Sequence, residues 1–129
     1  MPTKNKQIKI LLVEDDRTLA EMYQTKFSRE EFFTIHLAQG GKVIETVQSE
    51  KPDIILLDII VPQVDGFANL ASLKKDVKTR NIPVVMLTNL GQDEDKEKGK
   101  KLGAEDYWVK ADLTPAQVVD KIKEILKIK

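Results

Sequence analysis

Five short apolar runs alternate with longer amphipathic segments along the 129 residues of the chain. Three of these runs are almost continuous Ile, Leu and Val, which is typical of parallel strands covered by helices on both faces. The first three of these segments, and the last, repeat apolar residues at the spacing of a helix that buries one face. The sequence therefore predicts strands over residues 8–13, 33–38, 54–57, 84–87 and 107–109, with a helix after each.

The sequence signals for the predicted helices differ in strength. The last is the clearest, because Thr114 can cap its first turn and Pro115 stands at the first helical position, where proline is favoured. The fourth, in segment 91–103, is the weakest, since Leu102 is its single apolar residue and Gly99 inside it costs about 1 kcal/mol relative to alanine. The apolar stripes of the first three are Leu19, Met22, Tyr23 and Phe27; Val43, Ile44 and Val47; and Phe67, Leu70, Leu73 and Val77.

Strands that alternate with helices fold by right-handed crossovers into an open, doubly wound parallel sheet. The predicted fold class is therefore α/β, a (βα)5 single domain over residues 8–129, with residues 1–7 as an N-terminal tail. Sheets of this kind bind ligands outside the carboxyl ends of the strands, where the strand order reverses. Functional side chains are expected at that edge.

Charge and cysteine content exclude several functions. Lys and Arg total 21 and so do Asp and Glu, so no basic field favours a nucleic-acid partner. The chain has no cysteine, and hence no disulfide or thiolate metal site, so a cytoplasmic location fits best. The first apolar run is broken by Lys9 and stops at Glu14, which is too short for a signal peptide or a membrane span.

Carboxylates accumulate where two of the predicted strands end. Glu14, Asp15 and Asp16 follow the first strand, and Asp58 follows the third. Asp16 can cap the next helix, but the adjacent carboxylates of Glu14 and Asp15 repel each other unless a cation is bound. A hard divalent ion such as Mg²⁺ takes oxygen ligands, so the sequence predicts a Mg²⁺ site. An acidic first turn also argues against a nucleotide or flavin fold, in which this turn cradles phosphate.

Two further polar side chains follow the other strands. Thr88 ends the fourth strand and Lys110 ends the fifth. Together with the carboxylates, a hydroxyl and an ammonium are the groups needed to move a phosphoryl group onto an aspartate. Asp58 would attack phosphorus in line, while Mg²⁺, Lys110 and Thr88 would stabilise the charge on the transferring oxygens.

Four motifs in this order resemble the receiver domain of two-component response regulators over nearly the whole chain. They are ILLVEDD, LLDIIVPQVDG, VVMLT and GAEDYWVK, with 30 residues from Asp58 to Thr88 and 22 from Thr88 to Lys110, the spacings of that family. The resemblance implies the flavodoxin-like strand order 2-1-3-4-5, which chemotaxis receivers share.

The resemblance also implies roles for the acidic residues. Asp58 would be the phosphoacceptor and, with Asp15, a direct Mg²⁺ ligand. Glu14 would be a ligand through water, and the backbone carbonyl of Ile60 would complete the protein's share of the coordination.

A switch and an output surface follow from the same resemblance. Thr88 would move toward the phosphoryl group, and the ring of Tyr107 would follow inward. The fourth helix, fifth strand and fifth helix would then contact an effector protein or a second copy as a homodimer. The phosphoryl group would come from a sensor histidine kinase or a phosphotransfer protein. Weak apolar anchoring of the fourth helix suits a movable element.

Ala111 departs from the family pattern. Many receivers have proline after the lysine, often with a cis peptide, whereas Ala111 follows Lys110 here. A cis bond before a residue other than proline costs about 3 kcal/mol, so this peptide is expected to be trans, or strained if cis. Trp108 should point to the opposite face of its strand from Tyr107 and pack against a helix.

Ile60 and Leu90 occupy the positions two after Asp58 and two after Thr88. In receivers, side chains at these positions flank the water that hydrolyses the acyl phosphate. Neither apolar side chain can orient a water by hydrogen bonding, which predicts slow self-dephosphorylation.

Two other functions fit parts of this pattern. A Mg²⁺-dependent phosphohydrolase with an aspartyl nucleophile would place Asp-x-Asp at the end of the first strand, where this chain has Glu-Asp-Asp. An interaction module that works without phosphorylation would be expected to lose Asp58, Thr88 or Lys110, and all three are present. His36, the single histidine, lies in the second predicted strand and is expected to be far from the acidic turn. No second ligand or carboxylate is near it in sequence, which favours a plain structural role.

Overall fold

The computed structural model describes residues 7–129, in which strands and helices alternate as predicted. The strands are β1 (Lys9–Val13), β2 (Phe33–Leu37), β3 (Ile54–Leu57), β4 (Val84–Thr88) and β5 (Asp106–Val109). The helices are α1 (Arg17–Arg29), α2 (Val43–Glu50), α3 (Gly66–Lys75), α4 (Asp93–Lys101) and α5 (Pro115–Leu126), with a 3-10 turn at Lys110–Asp112. Residues 1–6 of the predicted tail lie outside the described residues, so the division into a tail and a domain stays a prediction.

The five strands form one parallel sheet in the order β2-β1-β3-β4-β5, which confirms the predicted order. The order reverses at the centre, where β1 has β2 on one side and β3 on the other. Val13 pairs with Leu57 at the carboxyl ends of β1 and β3. Glu14 and Asp58, which follow these two residues, therefore leave the sheet side by side at the switch point.

The sheet separates two apolar layers. On one face, α1 and α5 contribute Tyr23, Phe27 and Ile122 to the core, and Trp108 joins them from β5, which confirms its predicted packing. The other face is covered by α2, α3 and α4, and Tyr107 packs against that layer. Every residue of β3 is fully buried, as expected for a central strand covered on both faces.

Two residues of the predicted apolar stripes are exposed. Val77 is 70% exposed because α3 ends at Lys75, where Asp76 turns extended and accepts a hydrogen bond from the Lys78 amide in place of a further helical turn. Met22 is 41% exposed because the buried stripe of α1 runs through Ala20, Tyr23 and Phe27. The predicted memberships of Val77 and Met22 were wrong.

The predicted helix starts are confirmed. The Asp16 carboxylate accepts a hydrogen bond from the Leu19 amide at 3.1 Å. Thr114 and Gln117 form a reciprocal capping box at α5. Among residues 7–129, no helix is both long and apolar enough to span a membrane.

The weakly predicted helix α4 forms, and its attachment to the fold is sparse. Gly99 is its single buried residue and faces the ring of Tyr107. The Lys98 ammonium lies 4.5 Å from the centre of the Phe67 ring, a cation–π contact with α3. Leu102 caps the end of α4 and packs at the edge of the core.

Candidate functional site

Three carboxylates meet at the carboxyl end of the sheet. Glu14, Asp15 and Asp58 each offer one oxygen, and these oxygens lie within 4.8 Å of one another. Glu14 and Asp58 are buried, whereas Asp15 is exposed. The Asp58 amide donates to the Val13 carbonyl at 3.2 Å, which extends the pairing of β1 and β3 up to the site.

Lys110 reaches two of these carboxylates from the end of β5. Its Nζ lies 2.5 Å from Oδ2 of Asp58 and 2.5 Å from Oε1 of Glu14. Burial disfavours the ammonium, but the two carboxylates outweigh it and raise the pKa of Lys110. Three carboxylates around one ammonium leave an excess of negative charge, which favours a second cation.

The carboxylate of Glu14 is already engaged by the protein. Its Oε2 accepts a hydrogen bond from the Asp16 amide at 3.1 Å, and its Oε1 contacts Lys110. Its backbone is held as well, because the amide donates to the Leu37 carbonyl at 3.0 Å. Glu14 therefore organises the turn between β1 and α1, while the exposed Asp15 is the more accessible carboxylate.

His36 also contacts the acidic turn. Its Nε2 lies 2.7 Å from the backbone oxygen of Glu14. The expectation that His36 is far from this turn was wrong, because parallel pairing of Leu12 with His36 brings the end of β2 alongside the end of β1. No local pattern in the sequence could have shown this contact between residues 22 positions apart.

The loop after β3 is held close to Asp58. The Gly66 amide donates to the Ile59 carbonyl at 2.8 Å, and a Cβ on Gly66 would lie 2.3 Å from the Asp58 carbonyl oxygen. Only glycine allows this approach. Ile60 is 63% exposed beside the site, and its amide donates to Oδ1 of Asp58 at 3.3 Å.

Thr88 and Tyr107 are linked through Leu90. The buried Thr88 hydroxyl accepts a hydrogen bond from the Leu90 amide at 3.3 Å, and the Tyr107 hydroxyl donates to the Leu90 carbonyl. Burial raises the pKa of Tyr107 to about 12, and the charges of Asp95 and Asp58 add to the shift. Tyr107 is therefore a neutral donor with its ring partly buried against α4.

Asn89 connects the loops that follow β4 and β5. Its Oδ1 accepts a hydrogen bond from the Ala111 amide at 3.2 Å, a donor that proline at this position would lack. No cis peptide occurs among the described residues, so the Lys110–Ala111 bond is trans, the first of the two expected states. Lys110 still reaches Asp58 from this backbone.

The site is open to solvent through a cavity of about 270 Å³. Its lining brings together six of the seven residues predicted for the site, and Tyr107 lies outside it; the six are Glu14, Asp15, Asp58, Ile60, Thr88 and Lys110. Asn89 and Leu90 line the same cavity. The sequence did not place Asn89, His36 or Gly66 among the residues of the site.

The chain is similar in sequence to known response regulators. Residues 10–123 match the family described as response regulator receiver domain. The phosphate regulon transcriptional regulatory protein PhoB of Escherichia coli is 34% identical over 119 residues, which cover 92% of this chain and 52% of PhoB. The chain spans about half the length of the curated relatives it matches.

Solved structures show the same fold. The BeF3-activated N-terminal receiver domain of Klebsiella pneumoniae RstA superposes with a TM-score of 0.85 at 29% identity, covering 92% of this chain and 97% of that one. The receiver domain of the Francisella response regulator 1452 gives a TM-score of 0.85 at 27% identity, covering 94% and 98%.

Proposed function

Because this chain belongs to the response regulator receiver family, we propose that it is a phosphoacceptor domain of a two-component system in which Asp58 accepts the phosphoryl group. The observation that carries this proposal is the buried contact of 2.5 Å between Lys110 and Asp58 beside two further carboxylates. A carboxylate oxygen would be the nucleophile, and the ammonium beside it is placed to bind an oxygen of the group under attack.

The donor set fits Mg²⁺, which prefers hard oxygen ligands and keeps several waters. Asp15 and Asp58 would hold the ion directly, and the Ile60 carbonyl would complete the set. Glu14 would act through water, since both of its carboxylate oxygens already have protein partners. When bound, Mg²⁺ would neutralise charge on the phosphoryl oxygens.

The transfer itself forms one bond and breaks one. A carboxylate oxygen of Asp58 attacks phosphorus, and the bond from phosphorus to the imidazole nitrogen of a phosphohistidine donor breaks. The electron pair of that bond returns to the imidazole. Lys110, already at Asp58, would hold one phosphoryl oxygen, and the Thr88 hydroxyl would donate to another. The donor would be a sensor histidine kinase or a phosphotransfer protein, acting in the cytoplasm.

The Leu90 contacts suggest how phosphorylation would reach the surface. If the Thr88 hydroxyl turns toward a phosphoryl oxygen, the Leu90 amide loses its acceptor. Leu90 also holds the Tyr107 hydroxyl, so movement of this loop would release or redirect the aromatic ring. The ring packs on Gly99, and the sparsely attached α4 would shift with it. The surface of α4, β5 and α5 would then present a changed face to an effector protein or to a second copy.

Incubation with acetyl phosphate and Mg²⁺, followed by intact mass spectrometry, tests this function. We expect one phosphoryl adduct that persists, is lost in Asp58→Asn and is prevented by a chelator. The exposed Asp120→Asn on α5 is the matched control and should retain the adduct. Repeated hydrolysis without an adduct would favour the phosphohydrolase, and no reaction with acetyl phosphate or a kinase would favour the unphosphorylated interaction module.

A further inference from the structure

We propose that His36 is a positioning residue for the Mg²⁺-binding turn, an inference that rests on the proposed function and extends it to a residue outside the site. His36 Nε2 lies 2.7 Å from the Glu14 carbonyl oxygen. A carbonyl can only accept, so Nε2 carries the hydrogen. The bond fixes the peptide that joins Glu14 to Asp15, and with it the direction in which the Asp15 carboxylate leaves the backbone.

The contact continues the sheet beyond its last paired residues. The pairing of β1 with β2 ends at Val13 and Leu37, and the Glu14 amide adds one more bond to the Leu37 carbonyl. The next backbone group, the Glu14 carbonyl, accepts no strand amide among residues 7–129 and is held by the His36 ring instead. Both backbone groups of Glu14 are thus tied to the edge strand β2, which restrains the turn just before the exposed Asp15.

The hydrogen bond from His36 would affect how Asp15 binds Mg²⁺. The Glu14 carboxylate is anchored by the Asp16 amide and by Lys110, whereas the carbonyl of the following peptide is held by His36. When a residue that hydrogen-bonds to a metal ligand and orients it is removed, the affinity for the metal typically falls. His36 plays this part for Asp15 through the main chain.

Two substitutions separate positioning from plain packing. His36→Gln keeps an N–H donor at a similar distance along the side chain, whereas His36→Met keeps the length and removes the donor. Calorimetry should show about tenfold weaker Mg²⁺ binding for His36→Met and a change within about twofold for His36→Gln. Urea denaturation of the same samples reports stability, and Thr34→Val, on the same strand, should alter stability without altering Mg²⁺ affinity.

A second readout keeps the inference testable if Mg²⁺ does not bind. Nitrogen NMR should find the His36 hydrogen on Nε2, and relaxation should show a more mobile Asp15 amide in His36→Met than in wild type or His36→Gln. Failure of wild type to bind Mg²⁺ would overturn the proposed metal role but leave this comparison intact. Equal Asp15 mobility in all three proteins, or equal Mg²⁺ affinity of wild type and His36→Met, would overturn the role of His36.

Discussion

The ammonium of Lys110 lies 2.5 Å from the carboxylate of Asp58, although the two residues are 52 positions apart in the chain. The ends of β3 and β5 are separated by β4, and the long lysine side chain bridges that distance. Lys110 contacts Glu14 at the same distance, so two buried carboxylates share one ammonium. This arrangement connects the stability of the fold to the chemistry of the site.

Lys110→Met should destabilise the protein. Removing one partner of a buried ion pair costs about 3 kcal/mol, because Asp58 and Glu14 are left buried and uncompensated. Urea denaturation without Mg²⁺ measures this loss, with the exposed Lys75→Met as control. Equal losses for both variants would contradict the account.

Asp15→Asn should have opposite effects with and without Mg²⁺. Without the ion, removing one of three clustered carboxylates should raise the free energy of unfolding by about 0.5 kcal/mol, a value kept small by the exposure of Asp15. At a Mg²⁺ concentration about one hundred times the dissociation constant, the wild type should gain about 2.7 kcal/mol that the variant lacks. The variant should thus be the more stable protein without Mg²⁺ and the less stable one with it. If the wild type does not become the more stable protein when Mg²⁺ is added, Asp15 is not a ligand.

Tyr107→Phe should change how stability depends on alkaline pH. The pKa of Tyr107 is about 12 in the folded protein, against 10.0 for a free tyrosine side chain. Below pH 10.0, Tyr107 makes its full contribution to the free energy of unfolding of the wild type. This contribution is lost as the pH rises toward about 12, because Tyr107 loses its proton in the unfolded state before it does so in the folded state. At neutral pH the variant should be about 1 kcal/mol less stable, since the hydrogen bond to Leu90 is gone.

The difference in the free energy of unfolding between wild type and Tyr107→Phe should therefore become smaller above pH 10.0. Chemical denaturation across this range measures it. Tyr23 is present in both proteins, so its own raised pKa cancels in the comparison. Parallel stability profiles for wild type and Tyr107→Phe would show that the Tyr107 hydroxyl is not buried in the folded state.

Leu90→Gln should shorten the lifetime of the acyl phosphate. Leu90 and Ile60 line the cavity beside Asp58, and neither side chain can hold a water by hydrogen bonding. A glutamine amide can, and a gain of about tenfold in the hydrolysis rate is expected, below the hundredfold of a well-placed base. Leu90→Met, which stays apolar, should match the wild type. A wild-type lifetime of only seconds would refute the prediction of slow hydrolysis.

Much of the fold and the membership of the site could be predicted from the sequence, because both depend on order along the chain. Alternating strands and helices determine the architecture, and polar residues at strand ends meet at one edge of a parallel sheet. Asp58, Thr88 and Lys110 follow three different strands and line one cavity for this reason. Which of them carry the chemistry stays a prediction.

Contacts that depend on register or on loop geometry could not be predicted. His36 reaches Glu14 because it pairs with Leu12, and several registers of an edge strand satisfy the same apolar pattern. The bond from Ala111 to Asn89 joins two loops whose approach no spacing encodes. The early end of α3 depends on the Asp76 carboxylate, which prefers a local backbone amide to another helical turn.

The central claim is that Asp58 receives the phosphoryl group, and borohydride reduction followed by peptide sequencing in a mass spectrometer tests it most directly. Borohydride converts an aspartyl phosphate into homoserine, which marks the acceptor. After treatment with acetyl phosphate and Mg²⁺, we expect homoserine at position 58 and an unmodified aspartate at position 15. Homoserine at another position, or none in a sample whose intact mass shows the adduct, would contradict it.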